Sequence, residues 1–78
     1  MLIMFEKKST VYLFVGNMMC EHCAAHINGA LKAVDGIKKI NIDLPSKTVC
    51  VSYVGEKTTP ENMISVLKAE GYDAEIKL

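Results

Sequence analysis

Along the chain, stretches in which apolar residues occupy alternate positions are separated by stretches in which apolar residues recur every three or four positions. Alternation, or a short run of β-branched and aromatic residues, predicts a half-buried strand, and a spacing of three to four predicts an amphipathic helix. The pattern predicts strands at residues 10–15, 37–44, 49–53 and 72–78. It predicts helices from about residue 20 to 34 and from residue 60 to 70.

Turn and capping residues separate these elements. Gly16-Asn17 leads out of the first strand, and Asp35-Gly36 ends the first helix because glycine is common just past a helix C-terminus. Pro45-Ser46-Lys47 lies between two alternating stretches and indicates a hairpin turn. Thr59 and Pro60 form a helix start, since a hydroxyl can cap the first turn and proline fits the first helical position.

The resulting order is β-α-β-β-α-β, which is the ferredoxin-like split βαβ pattern of the α+β class. It predicts a four-stranded antiparallel sheet with both helices packed on one face. Without an internal repeat or a low-complexity segment, residues 10–78 are interpreted as one domain, and residues 1–9 as an N-terminal extension. The start at Met1 and the end directly after the last predicted strand fit a free-standing protein, while a domain of a longer transporter stays open as the alternative.

Composition narrows the class of protein. The chain has 78 residues, half of them hydrophobic, which suffices for one small core. Its formal net charge is zero and its lysines are dispersed, so the charge pattern does not indicate binding to nucleic acid or to anionic membranes. Apolar runs are far shorter than the roughly 20 residues of a membrane span. Three cysteines, an odd number, favour a reducing cytosol over secretion.

The most specific chemical signal is the segment NMMCEHC at residues 17–23, which contains Cys20 and Cys23. The pattern places both thiols where a loop enters a helix. Unpaired amide N–H groups and the helix dipole favour negative charge there, so they stabilise the thiolate, the form that binds metal or attacks disulfides. Residues three apart near a helix start point to similar sides, so both sulfurs can reach one ion.

The predicted topology and this segment together resemble the heavy-metal-associated domain, the fold of bacterial copper chaperones and of N-terminal modules of metal-pumping P-type ATPases. The family motif is Gly-Met-x-Cys-x-x-Cys, and the resemblance covers roughly residues 10–78. Other stretches that look like family positions are residues 34–37 (VDGI), 40–44 (INIDL) and 70–74 (EGYDA).

The resemblance implies roles for individual residues. Cys20 and Cys23 look like the metal ligands, and Met18 looks like the buried methionine that supports the loop from beneath. Tyr72 looks like the aromatic residue that lies against the metal loop in bacterial chaperones. Asn17 departs from the pattern, because the family usually has glycine at this position; asparagine also tolerates left-handed backbone angles.

Two thiolates suit a soft ion that accepts low coordination, and among abundant metals this favours Cu(I). Zn(II) prefers four ligands. Zinc-pumping relatives often have an acidic residue beside the first cysteine, where this chain has Met19. Hg(II) binds the same kind of two-thiolate site, so Hg(II) and Zn(II) remain alternatives to Cu(I).

The resemblance further implies carriage of the metal and not catalysis. Cys20, nearer the loop, is expected to be exposed and to bind first, while Cys23 is expected to be partly packed and to complete the site. The expected partner is a copper-transporting P-type ATPase or another CxxC metal-binding domain, which receives the ion by ligand exchange. Two copies of the chain could also share Cu(I) through four cysteines, as a metal-bridged homodimer.

Two other interpretations of the cysteine pair stay open. It could be a thiol-disulfide redox pair, although that class generally has a longer chain and often Gly-Pro between the cysteines, where this chain has Glu21-His22. Alternatively, the fold is an interaction domain with an incidental CxxC.

The remaining chemically active side chains are assigned more modest roles. His22 is expected to face solvent, from where it could tune the thiolates or bridge a metal-linked dimer. His26 is expected to be exposed and turned away from Cys20. Met19 is expected at the surface, and Cys50 on the sheet face opposite the core, where no function is assigned to it.

Overall fold

The computed structural model describes residues 8–77. The strands and helices follow the predicted order, with bounds β1 Lys8–Val15, α1 Glu21–Lys32, β2 Ile37–Asp43, β3 Thr48–Val54, α2 Pro60–Ala69 and β4 Ala74–Ile76. None of the helices in this part of the chain is long and apolar enough to cross a membrane.

The four strands form one antiparallel sheet in the order β2-β3-β1-β4. β3 and β1 occupy the centre, paired from Lys8 opposite Val54 to Phe14 opposite Thr48. This is the ferredoxin-like arrangement that the sequence predicts, with both helices on one face of the sheet.

The core lies between the helices and the inner face of the sheet. Its fully buried side chains, all with zero exposure, are Leu13, Val15, Met18, Ile27, Leu31, Val49, Val51, Met63 and Leu67. Each buried side chain of this size contributes about 1.5–3 kcal/mol relative to an exposed one. The predicted helical positions therefore form the core, although Val34 lies beyond the end of α1 and is only half-buried.

The two helices begin differently. Thr59 caps α2, since its hydroxyl oxygen accepts a hydrogen bond from the Asn62 backbone N–H at 3.1 Å. Cys20 holds the equivalent position before α1, in an extended conformation and without a side-chain cap. The first-turn N–H groups of α1 are therefore not capped by the side chain of Cys20, and they lie beside its thiol.

Glycine is required where two of the connections turn. Gly36 has a φ of +97°, and a Cβ there would lie 2.6 Å from Cβ of Lys57. Gly71, with a φ of +94°, closes α2 as predicted. Within residues 8–77, Lys47 is the remaining position with positive φ, so the Gly16-Asn17 turn forms without left-handed angles.

Most predicted bounds differ from the structure by one or two residues, and the largest differences are in β1 and β4. β1 begins at Lys8 and not at residue 10, because Lys8 and Ser9 pair with the end of β3, which local polarity does not reveal. β4 is limited to Ala74–Ile76. Ile76 is 40% exposed, so the predicted alternation of buried and exposed side chains is only weakly present in this strand. The rest of the predicted N-terminal extension, residues 1–7, lies outside the described residues, as does Leu78.

Candidate metal centre

Two loops meet at one end of the sheet because β1 and β4 are antiparallel neighbours. Val15 at the end of β1 pairs with Ala74 at the start of β4. The loop after β1 and the loop before β4 must therefore leave the sheet side by side. The first loop, residues 16–20, carries Cys20, and the second, residues 70–73, carries Tyr72.

The first loop is anchored from below by Met18. Its side chain is completely buried in the core, and its backbone N–H donates to the Val15 carbonyl at 3.1 Å. Met19, the next residue, is 71% exposed. The two methionines thus have the burial that the sequence predicts, and the loop between the core and Cys20 is short and anchored.

Cys20 and Cys23 come together as a pair. The Cys20 thiol donates a hydrogen bond to Sγ of Cys23 across 3.6 Å, and no disulfide joins the two cysteines. Cys20 is exposed, whereas Cys23 is half-buried and packs against the core. This is the order of exposure expected from the sequence.

The environment of Cys23 favours its thiolate. Hydrogen bonds from the backbone of Met19, from the Cys20 side chain and from the Tyr72 hydroxyl lower the pKa of Cys23, and partial burial opposes them only in part. Each of these contacts stabilises the charged form more than the neutral one. A thiolate can therefore form at Cys23 at lower pH than at an ordinary cysteine.

Tyr72 covers the second cysteine from the neighbouring loop. Its ring is half-buried against the core, and its hydroxyl lies near the Cys23 thiol. The hydrogen bond to Cys23, together with burial and the nearby negative charges, raises the pKa of Tyr72, so the phenol stays neutral and can donate. The structure thus brings Tyr72 to the thiol pair.

Tyr72 also contacts His26, on the second turn of α1. The Tyr72 hydroxyl lies 3.3 Å from His26 Nδ1, and the two rings meet edge to face with centroids 5.6 Å apart. Nε2 of His26 lies 2.7 Å from the Glu70 carboxylate. His26 is 52% exposed, as expected, but it links α1 to the loop that carries Tyr72.

Asn17 connects the two loops directly. Its side-chain Nδ2 donates to the Gly71 carbonyl at 3.0 Å, and its Oδ1 accepts from the Asp73 backbone N–H at 3.1 Å. These partners lie immediately before and after Tyr72. The residue that replaces the usual family glycine therefore holds the backbone on both sides of Tyr72.

The remaining candidates are His22, which lies between the two cysteines in sequence, and Cys50, which lies in the sheet. His22 is exposed on the first turn of α1. Cys50 pairs with Tyr12 in the sheet, next to a shallow groove of about 320 Å³ on the face away from the helices. Within residues 8–77, no cluster of three or more His, Cys, Asp or Glu side chains is arranged to hold a metal ion.

Sequence reasoning missed the contacts of Asn17, His26 and Glu70. The departure of Asn17 from the family motif is the available signal in the sequence, and its importance lies in the side-chain amide rather than in backbone angles. His26 and Glu70 are 44 positions apart, so no local pattern connects them.

Comparison with known proteins identifies the family. The model of the heavy-metal-associated domain matches residues 13–73. The copper chaperone CopZ of Staphylococcus epidermidis is 36% identical over 59 residues, which cover 76% of this chain and 87% of that protein. A copper-exporting P-type ATPase of Staphylococcus aureus (strain Newman) is 31% identical over 68 residues, 87% of this chain, but the matched region spans 8% of the ATPase.

A solved structure extends the comparison to the fold. The yeast copper transporter domain Ccc2a, whose structure was solved in apo and Cu(I)-loaded states, superimposes with a TM-score of 0.82 at 32% identity. The match covers 88% of this chain and 94% of that domain. With the family match over residues 13–73 and two curated relatives above 30% identity, the chain belongs to the heavy-metal-associated domain family.

Proposed function

We propose that the domain carries Cu(I) on the thiolates of Cys20 and Cys23 and passes it to a partner by ligand exchange. The observation that carries this proposal is the pair of reduced thiols 3.6 Å apart at an uncapped helix start, one of them exposed. Two relatives, a copper chaperone and a copper-exporting P-type ATPase, also support copper as the metal.

The donor set favours a soft ion of low coordination. Thiolates prefer Cu(I) among abundant ions, whereas Zn(II) requires two further ligands. Bonds of about 2.3 Å, the length of a Zn–S bond, would place two sulfurs in a line about 4.6 Å apart. The two sulfurs are 3.6 Å apart without metal, so binding would separate them by about 1 Å more. Cys20 is exposed and can move outward by that amount, while Cys23 stays packed. Hg(II) fits the same donor pair, and Zn(II) fits it less well.

Transfer would begin at the exposed side of the site. A thiolate of the partner forms a bond to the metal, giving a three-coordinate intermediate, and the bond to Cys20 then breaks. A second thiolate displaces Cys23, and each released sulfur can take a proton from solvent. The metal keeps its oxidation state and only its thiolate ligands are exchanged, so the ion that arrives is the ion that leaves and the step is carriage.

The proposed partner is a CxxC metal-binding domain of a copper-transporting P-type ATPase. This rests on the match to such an ATPase, whose matched region is about as long as the present chain. A reducing compartment, the cytosol, would keep both thiols free for the exchange.

A competitive titration tests the metal assignment. The reduced protein is titrated with Cu(I) against the chromophoric chelator bicinchoninate, and Zn(II) is titrated in parallel. We expect one Cu(I) per chain, held much more tightly than Zn(II), and loss of this binding in Cys20→Ser and Cys23→Ser because each variant leaves one thiolate.

Cys50→Ser is the matched control, since Cys50 lies on the other face of the sheet and should not affect Cu(I) binding. Tighter binding of Zn(II), or Cu(I) retention that survives both serine substitutions in the pair, would overturn the copper assignment. A thiol-disulfide enzyme would instead reduce insulin with dithiothreitol as reductant, and we expect no such activity.

A further inference from the structure

The loop that carries Tyr72 is held against the metal loop by one side chain at two points. The side chain of Asn17 donates to the Gly71 carbonyl and accepts from the Asp73 N–H. Both polar atoms of its amide therefore bind backbone that flanks Tyr72. The donor and the acceptor each have one partner at 3.0 and 3.1 Å, within the ordinary range for N–H···O bonds. Glycine at this position would supply neither contact.

A second connection holds the Tyr72 side chain itself. His26 contacts the Tyr72 hydroxyl on one side and the Glu70 carboxylate on the other. Glu70 lies in the same loop, just before Gly71. The backbone and the side chain of Tyr72 are therefore both held by residues that belong to the metal loop or to α1.

The position of Tyr72 affects the two cysteines unequally. Its hydroxyl lies near Cys23, the half-buried member of the pair, and both side chains pack against the same part of the core. Cys20 is exposed to an incoming thiolate. If the first displaced bond is that of Cys20, then Tyr72 limits access at the step in which Cys23 leaves the metal.

We propose that Asn17 is a positioning residue that keeps Tyr72 on Cys23 and so slows release of the metal from this cysteine. The inference rests on the proposed function, because it concerns metal held by the pair. It adds a specific role for the residue in which this chain departs from the family motif.

The step itself is a simple exchange. An incoming thiolate forms a new metal–sulfur bond, the Cys23–metal bond breaks, and the released Cys23 thiolate accepts the Tyr72 hydrogen bond or a solvent proton. When Asn17 holds the loop closed, the incoming group must displace the Tyr72 hydroxyl before it approaches from that side. When the loop is released, this barrier falls.

The test compares Asn17→Ala with Asn41→Ala, an exposed asparagine on β2 outside the metal loop. Cu(I)-loaded protein is mixed with excess bicinchoninate, and the release rate is followed by absorbance. Loss of two hydrogen bonds predicts release about tenfold faster in Asn17→Ala, with Asn41→Ala unchanged. Amide hydrogen exchange should show faster exchange at Asp73 while amides of the β1–β3 ladder stay protected, which a general loss of structure would not produce.

Tyr72→Phe provides a second variant in case Asn17→Ala folds poorly. It keeps the ring and removes the hydroxyl that contacts Cys23, and it should also release Cu(I) faster. Equal release rates in the wild type, Asn17→Ala and Tyr72→Phe would overturn the inference and leave the proposed function standing. Failure of the wild-type protein to retain Cu(I) would overturn both.

Discussion

At the scale of single residues, Cys23 depends on three neighbours that come from two separate parts of the chain. Met19 and Cys20 precede it in the loop, and Tyr72 reaches it from the far end of the domain. All three donate toward its sulfur, so they favour the charged thiolate in the folded state. The same contacts are lost on unfolding, and this connects the chemistry of the site to the stability of the metal-free protein.

The metal-free protein should therefore become more stable as pH rises toward 9.0, the ordinary pKa of a cysteine. The pKa of Cys23 is lower in the folded state, so its contribution is fully present above the unfolded pKa and is lost as pH falls through the folded value. Urea unfolding of reduced protein between about pH 6 and 9 measures this rise.

Cys23→Ser should lack that part of the rise, and Cys50→Ser should keep it. The same pH dependence in Cys23→Ser and wild type would contradict the prediction. Above this window Tyr72 acts with the opposite sign, because its pKa is raised and the stability it contributes is lost as pH climbs through the folded value.

The residues of the site differ in how far the sequence predicts them. Met18, Cys20 and Cys23 lie within six positions, so motif and helical spacing suffice to place them. The place of Tyr72 came from family resemblance, and the structure supplies its contact with Cys23. Asn17 could not be placed, because its partners at Gly71 and Asp73 are 54 and 56 positions away.

At the scale of elements, the two helix starts illustrate a division between stability and function. α2 begins at a threonine cap followed by proline, which satisfies an otherwise unpaired N–H group. α1 begins at Cys20, whose side chain makes no capping bond. The helix start with the weaker cap is the one beside the thiols, where a bound ligand can use the uncapped amides and the helix dipole.

Removing the α2 cap should lower stability without affecting the proposed metal site. Thr59→Ala is expected to lower the free energy of unfolding by about 1 kcal/mol, which for a domain of this size lowers the Tm by about 4–8 °C. Thr59→Ser retains the hydroxyl and should stay close to wild type. Thermal unfolding followed by circular dichroism measures both variants, and an unchanged Tm in Thr59→Ala would show that the cap contributes little.

The helices and strands could be predicted because apolar residues recur in each of them at the spacing typical of that element. α2 needed only the Thr59-Pro60 start and the stripe of Met63, Ile64 and Leu67. β4 was predicted too long, since three paired residues carry too little alternation to define an end. The start of β1 was missed because Lys8 and Ser9 are polar and are held by cross-strand pairing alone.

At the scale of the whole molecule, the proposed metal centre lies at one end of the sheet, and Cys20 is exposed there. Met19, beside it, is 71% exposed and adds an apolar side chain to the same surface. An exposed sulfur next to an apolar side chain is suited to contact with another macromolecule. The partner in such a contact could be a CxxC domain or a second copy of this chain.

A metal-bridged dimer should form when copies of this chain outnumber the Cu(I) ions available to them. Sedimentation of reduced protein is expected to show a monomer without metal and a dimer when Cu(I) is added at about half an equivalent, since four cysteines can then share one ion. Cys20→Ser should stay monomeric. A sedimentation coefficient that does not change with Cu(I) would argue against the dimer.

The contacts between Asn17 and the Tyr72 loop also have a consequence for the order of folding. They join segments 54 and 56 positions apart, so they can form only after the sheet has brought β1 and β4 together. Closing such long loops has a high entropic cost, so we expect these contacts to form late in folding. A chain emerging from the ribosome thus presents Cys20 and Cys23 well before Tyr72 is synthesised, and the proposed slow release of metal would require the complete fold.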